Sequence, residues 1–563
     1  MKSKITNLKF PQRPSVINWQ TIWGLLFVAS VFWSLHVAGI FQADLVNVGG
    51  WTLVFRFLGA VLSPDLSPEF LLLTLDATLK TLAYAVCGTF FCVVIGLVGG
   101  ILCSQVWWEV SFIRFQTPWL LMRGILAIPR AIHELIWGLF FVNIFGLDPL
   151  VAVLAIAIPF GAVVAKVFSE ILDETPRQPL LALINSGVPP LNAFAYSLIP
   201  QAFPNLLSYS FYRLECSIRS AAVLGIIGAG GLGYQIFLSL QSLHYEQMWT
   251  LMFALMLLSG GTDFLSAFLR QRLDIPSRLD LNVLNLKQHH EIKQRNPLVK
   301  LLLLSGVALL IFSFWYVQAD FSKLWSPRTA QLLARIIQDA FPPQWVDLNQ
   351  LFVLSTQTIA MSILAMTFAS LGGILLSFLA ARRIGKKREA ENPLSTPDSW
   401  MLSVLKPPLP TRFLLLFARA VPEPIWALIF LFVLFPGIMP GAIALGLHNM
   451  GIIGRLMAEV VENLDDRPLR SLKALGASHS QVFLYGVLPL TLPRFLAYVL
   501  YRWEDCTRAT VIVGLVGAGG LGRLMTEQLS SFDYKGLLTT LIVFIGLTFA
   551  VDLISTSVRG TLK

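Results

Sequence analysis

Charge is scarce in this sequence. Only 13% of its 563 residues are Asp, Glu, Lys or Arg, against about 25% in an ordinary soluble domain, which excludes a conventional solvated surface. Cysteine is scarce as well. The five present, Cys87, Cys92, Cys103, Cys216 and Cys506, fall in or beside apolar runs with no metal-ligand spacing, which argues against a disulfide framework or a metal centre. No G-x-x-x-x-G-K-[ST] occurs, so the chain has no nucleotide-phosphate loop of its own. No catalytic residue and no metal ligand is assigned, and any pumping energy comes from a partner or from an ion gradient.

What is abundant is apolar length. Hydrophobic residues make up 55% of the chain, with runs such as Ile22 to Phe41, Leu82 to Cys103 and Ile359 to Ala381, close to the roughly 20 residues a helix needs to cross the hydrocarbon layer. The first run is too long to be the core of a removed signal peptide and reads as a retained helix. The formal net charge of +10 does not point to nucleic acid, because the basic residues sit between the apolar runs. Lys2, Lys4, Lys9 and Arg13 precede the first run, Arg270 to Lys300 lie mid-chain, and Arg382 to Arg388 follow a later run. This is the positive-inside pattern. It predicts an all-α polytopic protein in membrane lipid, with both termini cytoplasmic.

The chain repeats itself. Arg130-x-x-x-Glu134-x-x-Trp137 recurs as Arg419-x-x-x-Glu423-x-x-Trp426, and Arg213-x-Glu215-x-x-x-Arg219 recurs as Arg502-x-Glu504-x-x-x-Arg508. The offset is the same in both, 419 − 130 = 508 − 219 = 289. It also carries Gly187 onto Gly476, Pro200 onto Pro489, Gly228-Ala-Gly-Gly-Leu-Gly233 onto Gly517-Ala-Gly-Gly-Leu-Gly522, and Asp263 onto Asp552. Upstream it shrinks to about 280, as Thr78 onto Thr358 suggests, the difference lying in a longer loop at 386–410. Residues 1–285 and 286–563 therefore read as two repeats joined by a cytoplasmic linker at about 270–299. Each has six spans, in the first half near 20–41, 72–103, 119–145, 149–168, 203–227 and 246–268. An even number of spans returns the chain to its starting side, so the repeats are expected to be parallel, about 12 helices in all.

Recurrent charges inside the spans are the functional candidates. Glu215 and Arg219 fall near mid-membrane, where each ionisable residue costs about 2.5 to 3.5 kcal/mol on insertion scales. They are either a self-satisfying i,i+4 pair or part of a lining formed by Arg213, Arg219, Arg502 and Arg508 and only partly neutralised by Glu215 and Glu504. Such a lining favours anions, and guanidinium forks suit phosphate-like oxygens. Arg130 with Glu134, and Arg419 with Glu423, are spaced i,i+4 at the start of a span beside Pro129, Pro422 and Pro424. They serve either as interfacial anchors or in the pathway. Asp263 and Asp552 read as structural. The pattern Gly228-x-Gly230-x-x-Gly233 matches the dinucleotide fingerprint literally, but that fingerprint needs a βαβ unit. Between apolar helices, Gly228, Gly230, Gly231 and Gly233, with Gly517, Gly519, Gly520 and Gly522, predict tight turns, tolerated at membrane depth only where protein or water surrounds them.

These motifs together resemble the permease subunits of binding-protein-dependent ABC importers of the phosphonate type. The resemblance spans about Thr78 to Arg270 and Thr358 to Arg559, and is closest through Arg419-Ala-Val-Pro-Glu423-Pro-Ile-Trp426, Leu472-Lys-Ala-Leu-Gly476-Ala-Ser478 and Gly486-Val-Leu-Pro489. It implies the type I importer permease architecture, two copies fused in one chain, in a bacterial inner membrane. It also implies cytoplasmic coupling loops of the form E-A-A-x-x-x-G followed by I-x-L-P. Ala182, Gly187 and Pro200, and Leu472, Gly476 and Pro489, fall at those positions, while Leu181 and Arg470 replace the acidic residue. The implied partners are two ABC ATPase subunits inside, which carry ATP and Mg, and a substrate-binding protein outside. The implied cargo is a phosphonate, phosphite or phosphate-like oxyanion moved by alternating access. An amino acid or other small solute, a gradient-driven carrier using Glu215 and Glu504 as proton sites, and a non-transporting scaffold are the competing readings.

Overall fold

The computed structural model describes residues 19–40, 45–110, 117–272, 297–345, 347–381, 409–465 and 467–562. Most of the linker expected at 270–299 and of the loop expected at 386–410 lies outside them. The first half contains α1 (Trp19–Val37), α2 (Trp51–Gly59), α3 (Pro68–Cys103), α4 (Gln105–Val110), α5 (Thr117–Ala131), α6 (Glu134–Phe145), α7 (Pro149–Glu174), α8 (Gln178–Asn185), α9 (Pro190–Ala193), α10 (Ile199–Leu224), α11 (Gly231–Gln241) and α12 (Tyr245–Arg272). The second contains α13 (Pro297–Val317), α14 (Pro327–Ala340), α15 (Leu348–Ala380), α16 (Leu409–Ala420), α17 (Glu423–Val433), α18 (Ile438–Glu462), α19 (Arg467–Ala474), α20 (His479–Val482), α21 (Leu488–Leu515), α22 (Gly520–Ser530) and α23 (Tyr534–Leu562). Among the described residues the only β pairing is an isolated bridge between Val46 and Leu434.

Among the described residues, six helices are long and apolar enough to cross a membrane, and three bent pairs bring the number to nine. The shorter apolar α1 and α13, and α18 with its mid-helix His448, Asn449 and Arg455, complete two sets of six. The third span of each half differs from the continuous helix expected over 119–145. α5 and α6 meet at 83°, and α16 and α17 at 96°. The cause is local. Pro129 lies inside α5, His133 is extended (ψ 147°) and caps α6 by accepting from the Leu135 N–H at 3.3 Å, and Pro422 is extended (ψ 150°) before α17. A residue in that conformation cannot carry a helical ladder onward.

Small residues set the closest helix pair of the first half. A Cβ on Gly96 would lie 2.3 Å from Val164 Cγ1 and one on Gly100 2.7 Å from Phe168 Cβ, so α3 and α7 approach at backbone distance, the usual means of joining helices in lipid, where burial alone gives no drive. The same pairing recurs between α15 and α18.

The halves exchange their leading segments. α1 packs on α15 of the second half, and α13 packs on α3 of the first. The segment after α1 continues onto the other half, where the Asn47 N–H donates to the Val433 carbonyl at 2.6 Å. Gly50 lies so close that a Cβ there would sit 1.6 Å from the Phe432 carbonyl oxygen. Trp249 of α12 stacks on Phe417 of α16 with centroids 5.6 Å apart and donates to the Phe57 carbonyl at 2.7 Å. One hydrophobic core thus runs through both repeats.

Candidate translocation pathway

α10 and α21 carry equivalent charges. In α10, Arg213 and Glu215 are buried and Arg219 is half-buried. Arg213 lies 14 residues past Ile199, about 21 Å along the axis at 1.5 Å per residue. At that depth an unmatched guanidinium or carboxylate opposes folding by more than an ordinary helix contact returns, so the partners decide the arrangement.

Most partners come from the opposite half. Arg419, at the end of α16, donates from Nη1 to Glu215 Oε1 at 3.0 Å and also pairs with Asp263 of α12. Arg455 of α18 binds Asp263 at 2.6 Å and Glu459 at 3.2 Å. Arg219 approaches Glu215 at 3.7 Å, the expected i,i+4 pair, and its Nη2 lies 3.4 Å from Cys216 Sγ. Asp263, read from the sequence as merely structural, is the carboxylate that ties α12 to two arginines across the repeat boundary.

The equivalent cluster of the other repeat is different. By the 289 offset, Arg130 should reach Glu504 and Asp552 as Arg419 reaches Glu215 and Asp263. Glu504 instead pairs with Arg559 at 2.9 Å. Arg130, half-buried, forms no ion pair among the described residues and lies within electrostatic reach of Arg508, Asp552 and Glu170. The expected Glu504–Arg508 pairing is replaced by Asp505, which binds both Arg508 and, at 3.0 Å, Arg502. Arg502 also donates to Asn449 Oδ1 at 2.6 and 3.1 Å.

Arg213 is the equivalent of Arg502, and it has neither of those partners. The offset places Phe160 where the second half has Asn449, and Cys216 where it has Asp505. The Arg213 guanidinium stacks over the Phe160 ring at 3.9 Å, its Nε finds no hydrogen-bond partner, and it forms no ion pair among the described residues. Tyr209, Tyr212 and Cys216 of α10, Cys92 of α3, and Tyr501 and Asp505 of α21 lie within its electrostatic reach.

Arg130 and Glu134 do not share a helix turn, contrary to the i,i+4 expectation. Arg130 ends α5 and Glu134 begins α6, so the motif straddles the bend, as Arg419 and Glu423 do between α16 and α17. The two acids then find different neighbours. Glu134 accepts from Ser220 Oγ at 2.8 Å and lies 3.0 Å from His133 Nδ1. Glu423 lies 3.3 Å from His448 Nε2, whose Nδ1 is 3.0 Å from the Val421 carbonyl oxygen.

The glycine-rich segments break the fifth spans. Gly228, Gly230 and Gly231 have φ of 96°, 86° and 78°, and Gly517, Gly519 and Gly520 have 95°, 80° and 71°, the left-handed region that excludes most side chains. Gly233 and Gly522 pack α11 and α22 back on the preceding helices, with a Cβ at Gly233 falling 1.7 Å from the Ala222 carbonyl oxygen. A threonine from the second span caps each turn. Thr81 Oγ1 accepts from the Leu232 N–H at 2.8 Å and Thr358 Oγ1 from the Leu521 N–H at 3.0 Å. Thr358 is therefore the counterpart of Thr81, an offset of 358 − 81 = 277, and not of Thr78.

The loops expected to couple form matching units, α8 with α9 and α19 with α20, each followed by a π turn. Gly187 and Gly476 share a φ of 84° and stand in open space. Ala182, Pro200 and Pro489 are exposed and Leu472 is half-buried. Tyr196 and Tyr485, related by the same offset, are 79% and 74% exposed.

Sequence reasoning missed His448, Asn449, Arg455 and Asp505. The first three interrupt an otherwise apolar run, and Asp505 is a charge facing a Cys in the aligned repeat, signals that a search for identical positions passes over.

Two parallel six-span halves, with leading segments exchanged and buried charges where they meet, define a membrane permease. The family described as binding-protein-dependent transport system inner membrane component matches residues 96–275 and 409–560, and the chain belongs to it. The chain is 26% identical over 447 residues to the phosphate-import permease protein PhnE of Mycolicibacterium smegmatis, covering 78% of this chain and 77% of that relative. It is 32% identical over 259 residues to the phosphite transport system permease protein PtxC of Stutzerimonas stutzeri, covering 46% of this chain and 86% of that relative, as a half-length partner of a fused pair would. No solved structure matches. The protein is a multi-pass ABC importer permease of the inner membrane and a transport subunit.

Proposed function

We propose that this chain forms the whole transmembrane pathway of an importer for a phosphate-like oxyanion, a phosphonate, phosphite or phosphate. The observation that carries this reading is the row of guanidinium groups on α10 and α21, Arg213, Arg219, Arg502 and Arg508, placed where the halves meet. The names of the phosphate-import and phosphite relatives agree with it. Residues 1–285 and 286–563 act as the two permease units that separate subunits supply elsewhere.

In this reading two ABC ATPase subunits, which bind ATP and Mg, dock on the exposed α8–α9 and α19–α20 units from the cytoplasm, where both termini also lie. A substrate-binding protein delivers the anion on the other side. Closure of the ATPases draws the docking units together and opens the pathway outward, and hydrolysis resets it. The cross-half cluster of Arg419, Glu215 and Asp263 couples the third span of one repeat to the fifth and sixth of the other, so movement of either docking unit is felt by both halves. The docking units differ in chemistry: Arg467, Arg470 and Lys473 stand on one, and Gln178, Leu181 and Ala182 on the other.

Co-purification tests the class. The detergent-solubilised chain is expected to retain an ATPase with ATP bound and hydrolysis blocked. Failure to associate with any ABC ATPase under every nucleotide condition would remove the importer reading.

A further inference from the structure

The internal repeat supplies its own control for Arg213. The same arginine in the second half, Arg502, is held by Asn449 and Asp505, while both positions in the first half have lost their oxygens to Phe160 and Cys216. A structural arginine at this depth would keep such partners, because a buried guanidinium without an acceptor opposes folding. Arg213 is 7% exposed, its Nε has no acceptor among the described residues, and half-buried Tyr209 and Tyr212 lie beside it. Phenolic hydroxyls beside a planar guanidinium fork make a donor set for a tetrahedral oxyanion.

We infer that the pathway holds its oxyanion on one side only, at Arg213, with Tyr209 and Tyr212 as hydroxyl donors, and that Arg502 is a structural arginine. This rests on the oxyanion-importer reading and narrows it from four arginines to one. Asp505 matters equally. Its carboxylate binds Arg502 and Arg508 and so occupies the second half's guanidinium groups, while it lies within electrostatic reach of Arg213 without forming an ion pair with it among the described residues.

The test installs the second half's solution in the first. Cys216→Asp places a carboxylate beside Arg213, as Asp505 stands beside Arg502, and Cys216→Asn provides the same bulk without charge. In the assembled transporter with its ATPase and binding protein, Cys216→Asp should lower uptake of inorganic phosphate, phosphite or methylphosphonate by about tenfold or more relative to Cys216→Asn, as a like charge at an anion site does. Equal uptake by the two variants overturns the assignment. A transport-independent arm uses the full-length chain with Cys216 as its sole cysteine. Millimolar phosphate, phosphite or methylphosphonate, but not chloride, should slow methanethiosulfonate labelling of Cys216. Labelling unaffected by all three, in a chain that still imports an oxyanion, removes the subsite and leaves the importer reading intact. Protection at Cys216 in a chain that imports none of them keeps the subsite and removes the transport reading.

Discussion

Arg419 of the second repeat donates to Glu215 of the first at 3.0 Å, and both side chains are nearly inaccessible to solvent. The pair spans the repeat boundary, with Asp263 on the far side of the guanidinium. Removing the arginine leaves Glu215 to Arg219 at 3.7 Å and Asp263 to Arg455, and breaking a buried pair in this way costs about 3 to 5 kcal/mol. Arg419→Ala should therefore lower the melting temperature of the solubilised chain markedly. Adding Glu215→Gln and Asp263→Asn should recover much of the loss, because the two carboxylates that lost a partner are then neutral. A scanning fluorimetry series on the three variants checks this.

Backbone contact holds the exchanged outer segment in place. Gly50→Ala would put a Cβ 1.6 Å from the Phe432 carbonyl oxygen, a collision with main chain that cannot be relieved by a side-chain rotation. Displacement of residues 45–62 from α17, read as faster proteolysis of that segment, is the expected result. Gly24→Ala, at a position with open space around it, is the matched control and should behave as the wild type.

A second tie between the halves lies outside the spans and is titratable. Lys323, between α13 and α14, bonds the Asp148 carboxylate at the start of α7, and that bond raises the lysine above its ordinary value of 10.5. A raised lysine contributes its stability in full below the unfolded value and loses it as pH rises through the folded one. The melting-temperature difference between wild type and Lys323→Met should therefore stay constant from about pH 6 to about pH 9. A difference that fades within that window would show that the bond does not form in solution.

Much of the architecture was legible before any coordinates. The 289 offset holds across α6 and α17, α7 and α18, and the glycine turns, because equal burial and equal backbone demands keep residue identity. What escaped was physical difference between repeats. Asp505 and Asn449 face Cys216 and Phe160, so matching identities skipped the four positions that distinguish Arg502 from Arg213. The exchange of α1 and α13 was hidden because a helix apolar all round does not encode which half it packs on. The bends after Ala131 and Ala420 were hidden because proline near a helix end reads equally as a start or a stop. Thr81 was passed over for Thr78 because its role is a hydrogen bond to a turn 151 residues away.

The docking units carry a positional prediction. Gly476 has a φ of 84° and stands exposed between α19 and α20, so Gly476→Arg strains the turn and projects bulk toward a cytoplasmic partner. ATP hydrolysis should persist while uptake falls, measured together in reconstituted vesicles. Gly187→Arg, on the uncharged unit, reports whether the two docking sites are equivalent.

The most direct measurement is uptake of radiolabelled phosphate, phosphite or methylphosphonate into proteoliposomes containing this chain, its ATPase and its binding protein. Uptake should require internal ATP, survive collapse of the proton gradient, and be lost in the Arg213→Ala variant while the complex stays assembled. Uptake that continues without ATP and stops when the proton gradient is collapsed would contradict the account and make Glu215 and Glu504 proton carriers instead.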